Sequence, residues 1–122
     1  GTGLNNNKNN ENICNYPINP GSSFDEYSDI FEKELLPKLA IFKPEIIFVS
    51  CGFDAHYLDP LANINLNDQD YGSISRLLTC IAGKHCGGKL VSVLEGGYNL
   101  KALEKSVSIH VSELMSAAMQ IK

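Results

Sequence analysis

Several features that define other classes of protein are missing from this sequence. It has no tryptophan, only five prolines and no run of about 18 apolar residues, the length that crosses a membrane. Its start lacks the basic and apolar regions of a secretory signal. The sequence therefore predicts a soluble chain without a membrane partner.

Positive charge and paired cysteines are also scarce. The 10 basic residues are scattered and are outnumbered by 14 acidic ones, which gives a net charge of −4 and no footprint for direct nucleic-acid binding. The four cysteines form neither a CxxC pair nor the dense pattern of a small secreted scaffold. This usage predicts reduced thiols and an intracellular location.

What is present indicates one globular domain with a mobile start. An apolar fraction of 43% and a charged fraction of 20% over 122 residues are typical of a chain with a buried core. Six asparagines among the first twelve residues bury too little surface to fold. We expect an Asn-rich mobile loop over residues 1–16 and a folded portion over 17–122, and we expect the start to be internal to a longer polypeptide.

Helix and strand patterns alternate along the folded portion. Ser23 and Glu26 form an S-x-x-E capping box, which predicts a helix to about Phe42 with Pro37 as a kink or early end. Asn67 can cap a second helix that ends near residues 83–88. A third helix is predicted over about residues 100–119. Its expected inward residues are Leu103, Val107, Val111 and Leu114.

Two short apolar runs separate these helices. Residues 45–50 and 89–94 are rich in β-branched and aromatic side chains, which is typical of parallel strands covered on both faces. Strands that alternate with helices favour right-handed crossovers. The predicted fold class is α/β, a three-layer parallel sheet with flanking helices.

The loops that follow the two strands are the candidate site, because ligands of parallel sheets bind at the carboxyl ends of strands. The first loop carries Asp54, His56 and Asp59, side chains that suit a cation such as zinc. An alternative is that Asp54 and Asp59 hold the loop by accepting backbone amide hydrogen bonds. A lone loop histidine such as His56 is more often exposed or bracing than a ligand.

The second loop contains Gly96, Gly97 and Tyr98. The glycines let the backbone pass close to a ligand, and the tyrosine hydroxyl can donate a hydrogen bond. The alternative is a tight turn with Tyr98 packed at the sheet edge.

The two loops together, in this order and at this spacing, resemble a known family. The stretches PEIIFVSCGFDAH (44–56), DPL (59–61) and LEGGYNL (94–100) closely resemble the last third of histone deacetylases and their acetylpolyamine amidohydrolase relatives. The resemblance covers residues 17–115, and LEGGY is most similar to the class II and bacterial amidohydrolase branch. It implies the C-terminal part of the arginase/deacetylase-like fold.

The resemblance also implies a role for individual residues. Asp54 matches one of three protein ligands of a catalytic Zn²⁺, and Tyr98 matches the catalytic tyrosine that stabilises the oxyanion. Asp59 matches a residue that braces the loop behind the metal ligand. Residues matching the substrate tunnel are Phe53, Leu61, Gly96 and Gly97. An apolar Leu61, where polyamine-selective relatives carry glutamate, favours acetyl-lysine over acetylpolyamine.

The family's other zinc ligands, in an upstream D-x-H motif, and its tandem histidines match nothing in these 122 residues. We therefore expect the segment alone to be inactive, to need the upstream part of the same catalytic domain as its partner, and to self-associate when isolated.

The implied function is a zinc-dependent hydrolase that deacetylates lysine side chains of histones or other proteins, in chromatin regulation in the nucleus and/or cytoplasm. One alternative is an amidohydrolase of acetylpolyamines or other small amides. Another is a noncatalytic interaction domain that keeps the fold. The joint presence of Asp54 and Tyr98 argues against the second alternative.

Overall fold

A computed structural model describes residues 12–120, except for the side chain of residue 120. The order of elements is α1 (Phe24–Ile30), a π-helical segment (Phe31–Leu35), α2 (Leu36–Phe42), β1 (Ile47–Cys51), α3 (Asp68–Cys86), β2 (Leu90–Leu94) and α4 (Leu100–Gln120). The predicted alternation of helix and strand is confirmed. Residues 12–16 contain no helix or strand, and the rest of the predicted mobile loop lies outside the described residues.

The first helical segment begins where the sequence predicts, and its hydrogen bonding is irregular just before Pro37. The Ser23 amide and hydroxyl both donate to Glu26 Oε2, at 2.8 and 2.9 Å, as in a capping box. The π-helical segment lies just before Pro37, which cannot donate to the carbonyl four residues earlier. Lys43, with φ at 53°, ends α2 in the left-handed conformation.

Strands β1 and β2 pair in parallel, with the register running from Ile47↔Leu90 to Cys51↔Leu94. Both strands therefore end at the same edge of the sheet. Helices α3 and α4 pack so closely that a Cβ atom on Gly72 would lie only 2.7 Å from Ile109 Cγ2. The α/β class with parallel strands and flanking helices is confirmed.

One prediction about the strands is wrong for this segment by itself. We expected both faces of the sheet to be covered, but Phe48, Val91 and Val93 are 69%, 41% and 52% exposed. The helices cover the opposite face, where His110 of α4 contacts Ser92 of β2. Within residues 12–120, no element covers the face of Phe48.

The buried stripe of α4 is partly polar. Its most buried residues are Ala102, Ser106 and His110. Val111, which was predicted to face inward, is 43% exposed. His110 lies 2.7 Å from Ser75 Oγ through Nδ1 and 2.9 Å from Ser92 Oγ through Nε2, so the imidazole joins α3, α4 and β2. Burial lowers the pKa of His110, which favours the neutral ring.

Two further sequence inferences can be compared with the fold. All four cysteines lie in the described part of the chain and are free thiols. Among residues 12–120, no helix is both long enough and apolar enough to cross a membrane.

The uncovered sheet face leads to a prediction about assembly. We expect the 122-residue chain to self-associate at micromolar concentration, because exposed apolar patches and strand edges drive association. Replacing Phe48 and Val93 together by threonine, which keeps strand propensity, should reduce the associated fraction in light scattering. The control is Ile41→Thr, at a helix residue that is 83% exposed. A monodisperse wild-type monomer would contradict the prediction.

Candidate active site

The loops after β1 and β2 lie side by side and are joined by backbone hydrogen bonds. Glu95 N donates to Cys51 O at 3.2 Å, and Phe53 N donates to Gly96 O at 2.8 Å. These bonds continue the pairing of the strands beyond their ends. The loop that carries Asp54 and the loop that carries Tyr98 are thus brought together at one edge of the sheet.

Asp59 connects the two loops through its side chain. Its Oδ1 accepts from Leu61 N at 3.0 Å within its own loop, and its Oδ2 accepts from Tyr98 N at 2.7 Å in the other. The resemblance implies that Asp59 braces its own loop. In the structure its carboxylate also holds the backbone of Tyr98 in the second loop.

Asp54 differs from Asp59 in its contacts. Its carboxylate lies against the backbone of Gly96, where an added Cβ would be 3.1 Å from both Cγ and Oδ1. It is half-buried and accepts no hydrogen bond from any residue between 12 and 120. Backbone bracing therefore accounts for Asp59 but not for Asp54, whose oxygens are free to bind another group.

Tyr98 is held by its backbone while its side chain is free. The residue is 59% exposed, and its hydroxyl makes no hydrogen bond within the described part of the chain. It is therefore not packed at the sheet edge, as the alternative interpretation required. The geometry leaves the hydroxyl available as a donor to a bound molecule.

Asn99 is a positioning residue that sequence reasoning did not single out. Its Oδ1 accepts from Ala102 N at 3.1 Å and caps α4, and its Nδ2 donates to Leu58 O at 3.1 Å in the first loop. An asparagine directly before a helical pattern is the sign that could have identified it.

The two glycines are required by contacts within the chain. A Cβ atom on Gly96 would press on the Asp54 carboxylate, whereas one on Gly97 would lie 2.9 Å from Leu103 Cδ1 and 3.0 Å from Phe53 Cβ. Gly97 also has φ at 134°, a conformation that side chains disfavour. Their predicted place along a substrate tunnel stays a prediction.

The other two residues matched to the tunnel lie in different environments. Phe53 is 3% exposed and forms a core cluster with Leu66 and Tyr71, so its ring does not line an open cleft. Its assignment to the tunnel is corrected to core packing, because its ring lies 5.0 Å from that of Tyr71. Leu61 is 61% exposed, and its contact with substrate stays a prediction.

His56 braces the first loop from inside. It is 2% exposed, its Nδ1 accepts from Leu58 N at 3.1 Å, and its Nε2 lies 3.2 Å from Asp68 Oδ1. Since Nδ1 is an acceptor, the neutral ring carries its proton on Nε2, and this N–H donates a hydrogen bond to Asp68 Oδ1. Ser106 Oγ of α4 donates to the same oxygen at 3.3 Å. The interpretation of His56 as a bracing residue fits this geometry.

Two tyrosines lie within the electrostatic reach of Asp54. Burial raises the pKa of Tyr27, and the charge of Asp54 raises it further. Burial is also the main cause that raises the pKa of Tyr71, with smaller contributions from its neighbours, including Tyr27 and Asp54. Neither tyrosine is among the site residues predicted from the sequence.

The residues present fit one ligand of a metal site. A half-buried carboxylate with free oxygens beside a close-packed glycine is a suitable ligand for zinc. Between residues 12 and 120, however, no three His, Cys, Asp or Glu side chains come together to hold a metal ion. A zinc site that uses Asp54 therefore needs ligands from outside these residues.

Comparison with known proteins identifies the family. The family model of the histone deacetylase domain matches residues 2–114, so the chain belongs to the histone deacetylase family. It is 44% identical over 103 residues to type-2 histone deacetylase 1 of Dictyostelium discoideum, covering 84% of this chain and 7% of that protein. It is also 44% identical over 94 residues to the chloroplastic histone deacetylase 14 of Arabidopsis thaliana, covering 77% and 22%.

A solved structure agrees with this assignment. The HD domain of HDA15 superposes with a TM-score of 0.71 at 32% identity, covering 80% of this chain and 26% of that one. The class II-like resemblance and the deacetylase fold are therefore confirmed. The chain spans between 7% and 26% of the lengths of these three relatives.

The first prediction from the site concerns Asp59. In Asp59→Asn one carboxylate oxygen becomes an NH₂ group, so either the Tyr98 or the Leu61 amide loses its acceptor. We expect faster hydrogen exchange at that amide and a loss of about 1 kcal/mol in the free energy of unfolding. The control is Asp29→Asn, which removes an exposed ion pair with Lys33. Unchanged exchange at both amides would show that Asp59 does not join the loops.

The second prediction concerns Gly97. Gly97→Ala should lower the free energy of unfolding by about 1–3 kcal/mol, because alanine is strained at this φ and its methyl group would overlap Leu103 and Phe53. Gly83→Ala is the matched control: nothing lies within 4 Å of its Cβ position, and alanine should stabilise α3 by about 0.5–1 kcal/mol. Urea denaturation of both variants measures the difference. Equal stability for the two would contradict this account of the loop.

Proposed function

We propose that this chain is part of a zinc-dependent protein lysine deacetylase, in which it supplies Asp54 to the metal and Tyr98 to the substrate carbonyl. The observation that carries the proposal is the hydrogen bond from Tyr98 N to Asp59 Oδ2, 2.7 Å long, which joins the loops of these two residues. Membership of the histone deacetylase family supports the reaction class.

Asp54 would hold the zinc ion together with ligands from the upstream part of the same domain. When bound, zinc supplies the Lewis acidity that polarises an amide carbonyl and activates a water molecule. Asp54 suits this role because its oxygens accept no hydrogen bond within residues 12–120 and because Gly96 leaves room for the carboxylate.

Tyr98 would donate its free hydroxyl to the oxygen that becomes negatively charged when the amide carbonyl is attacked. A donor aimed at developing charge accelerates the reaction by stabilising the transition state more than the substrate. Asp59 and Asn99 fix the backbone on either side of this side chain, so the hydroxyl starts from a defined position. Tyr98 should therefore affect turnover more than substrate binding.

The proposal includes an acetylated protein or peptide as substrate and an intracellular location, in the nucleus and/or cytoplasm. The four free cysteines support a reducing compartment. The exposed face of Phe48, Val91 and Val93 supports an upstream partner segment, since a parallel strand is normally covered on both faces.

The catalytic assignment predicts the behaviour of Tyr98→Phe in the complete polypeptide. Removing the hydroxyl should lower kcat on an acetyl-lysine peptide by about 10²- to 10³-fold and leave KM nearly unchanged. The matched control is Tyr57→Phe, at a residue of the first loop that is 57% exposed and should keep wild-type turnover. Full kcat in Tyr98→Phe would refute the role, and a wild-type protein inactive with zinc present would favour a noncatalytic domain.

Leu61 tests the substrate class. The side chain is 61% exposed at the rim of the site, where a carboxylate would attract a cationic amine. In Leu61→Glu we expect kcat/KM for an acetylpolyamine to rise about fivefold relative to an acetyl-lysine peptide, because an exposed charge pair contributes about 1 kcal/mol. Leu58→Glu, in the same loop at 48% exposed, is the control. A wild-type preference for acetylpolyamine would favour the small-amide alternative.

A further inference from the structure

A buried hydroxyl group beneath the candidate site has no hydrogen-bond partner. Tyr71 is 6% exposed, and its hydroxyl is the one fully buried side-chain oxygen or nitrogen without a partner among the described residues. Buried polar groups are nearly always hydrogen-bonded, since leaving one unpaired is unfavourable. The Tyr71 hydroxyl therefore needs a hydrogen-bond acceptor that accepts no other bond within the described residues.

The position of Tyr71 identifies the surroundings of this hydroxyl. Its ring lies 5.0 Å from the ring of Phe53 and 6.3 Å, nearly parallel, from that of His56. Phe53 directly precedes Asp54 in the chain, and His56 follows it two residues later. Ala55, between Asp54 and His56, packs against the same cluster as Phe53 and Tyr71. Tyr71 is thus packed directly against the loop that carries Asp54.

The electrostatic surroundings agree with this placement. Burial raises the pKa of Tyr71, and nearby groups that can carry negative charge, including Tyr27, Asp54 and Cys51, raise it further. The phenol therefore stays protonated at neutral pH and remains a donor. Asp54 is complementary, because its half-buried carboxylate has no donor between residues 12 and 120.

We propose that in the complete enzyme the Tyr71 hydroxyl donates a hydrogen bond to the Asp54 carboxylate, a bond that is not formed within residues 12–120 by themselves, and that Tyr71 is a positioning residue for this metal ligand. The inference rests on the proposed role of Asp54 in the complete enzyme. Carboxylates that bind metals are themselves hydrogen-bonded, and the partner orients the oxygen that faces the ion. Tyr71 would occupy one oxygen of Asp54 and leave the other to the metal.

The test compares Tyr71→Phe with wild type in the complete polypeptide. The substitution keeps the ring that packs on Phe53 and removes only the hydroxyl. We expect zinc affinity, measured by competition with a chelator, to fall about tenfold or more. The melting temperature of the metal-free protein should fall only slightly, because at most one hydrogen bond is lost and the packing of the ring is kept. Tyr57→Phe, whose ring stacks on His56 at 4.7 Å, should alter neither quantity.

Each other outcome overturns the inference in a distinguishable way. Wild-type zinc affinity in Tyr71→Phe would show that the hydroxyl does not support Asp54, while the proposed function would stand. A large fall in the melting temperature of metal-free Tyr71→Phe would assign the hydroxyl to packing of the fold instead. A wild-type protein that binds no zinc would overturn both this inference and the proposed function.

Discussion

The parallel pairing of β1 with β2 is the constraint on which the rest of the structure depends. The register ends at Cys51↔Leu94, so the loops after β1 and β2 begin at the same edge of the sheet and at the same level. A shift of one residue would displace one loop by about 3.3 Å relative to the other. The 2.7 Å bond between Asp59 and Tyr98 could not survive that displacement, and the two loops would no longer share a site.

Contacts within the chain hold the loops at this edge in place. Asp59 bonds to both loops, and the Asn99 side chain joins the first loop to α4. Gly96 and Gly97 allow the second loop to lie against Asp54 and Phe53. Bonds of this kind orient a site before substrate arrives, so less ordering is needed at the moment of reaction. The family resemblance assigns Gly96 and Gly97 to a substrate tunnel. Packing within the chain already requires glycine at both positions, whether or not a substrate is bound.

The segment combines a well-bonded scaffold with groups that are left without partners. The Asp54 carboxylate, the Tyr98 hydroxyl and the Tyr71 hydroxyl all lack hydrogen bonds within residues 12–120, and one face of the sheet is uncovered. In a parallel sheet with helices on both faces, the exposed sheet face would be covered. The uncovered face agrees with the comparison, since the chain spans 26% of the solved HD domain of HDA15.

The amino-acid sequence by itself determined the features that depend on neighbouring residues. Capping by Ser23 and Asn67 and the two apolar strands are readable because hydrogen-bond partners and periodicity lie within a few positions. Asp54 and Tyr98 are identified instead by the family resemblance of the two loops that carry them. Tertiary structure alone decided that Phe53 belongs to the core, that Val111 is exposed and that Tyr71 lies beneath the site. It also decided that Asp59 holds Tyr98, a residue 39 positions away. Such contacts follow from the register of the strands and from the packing of α3 on α4, which local patterns do not encode.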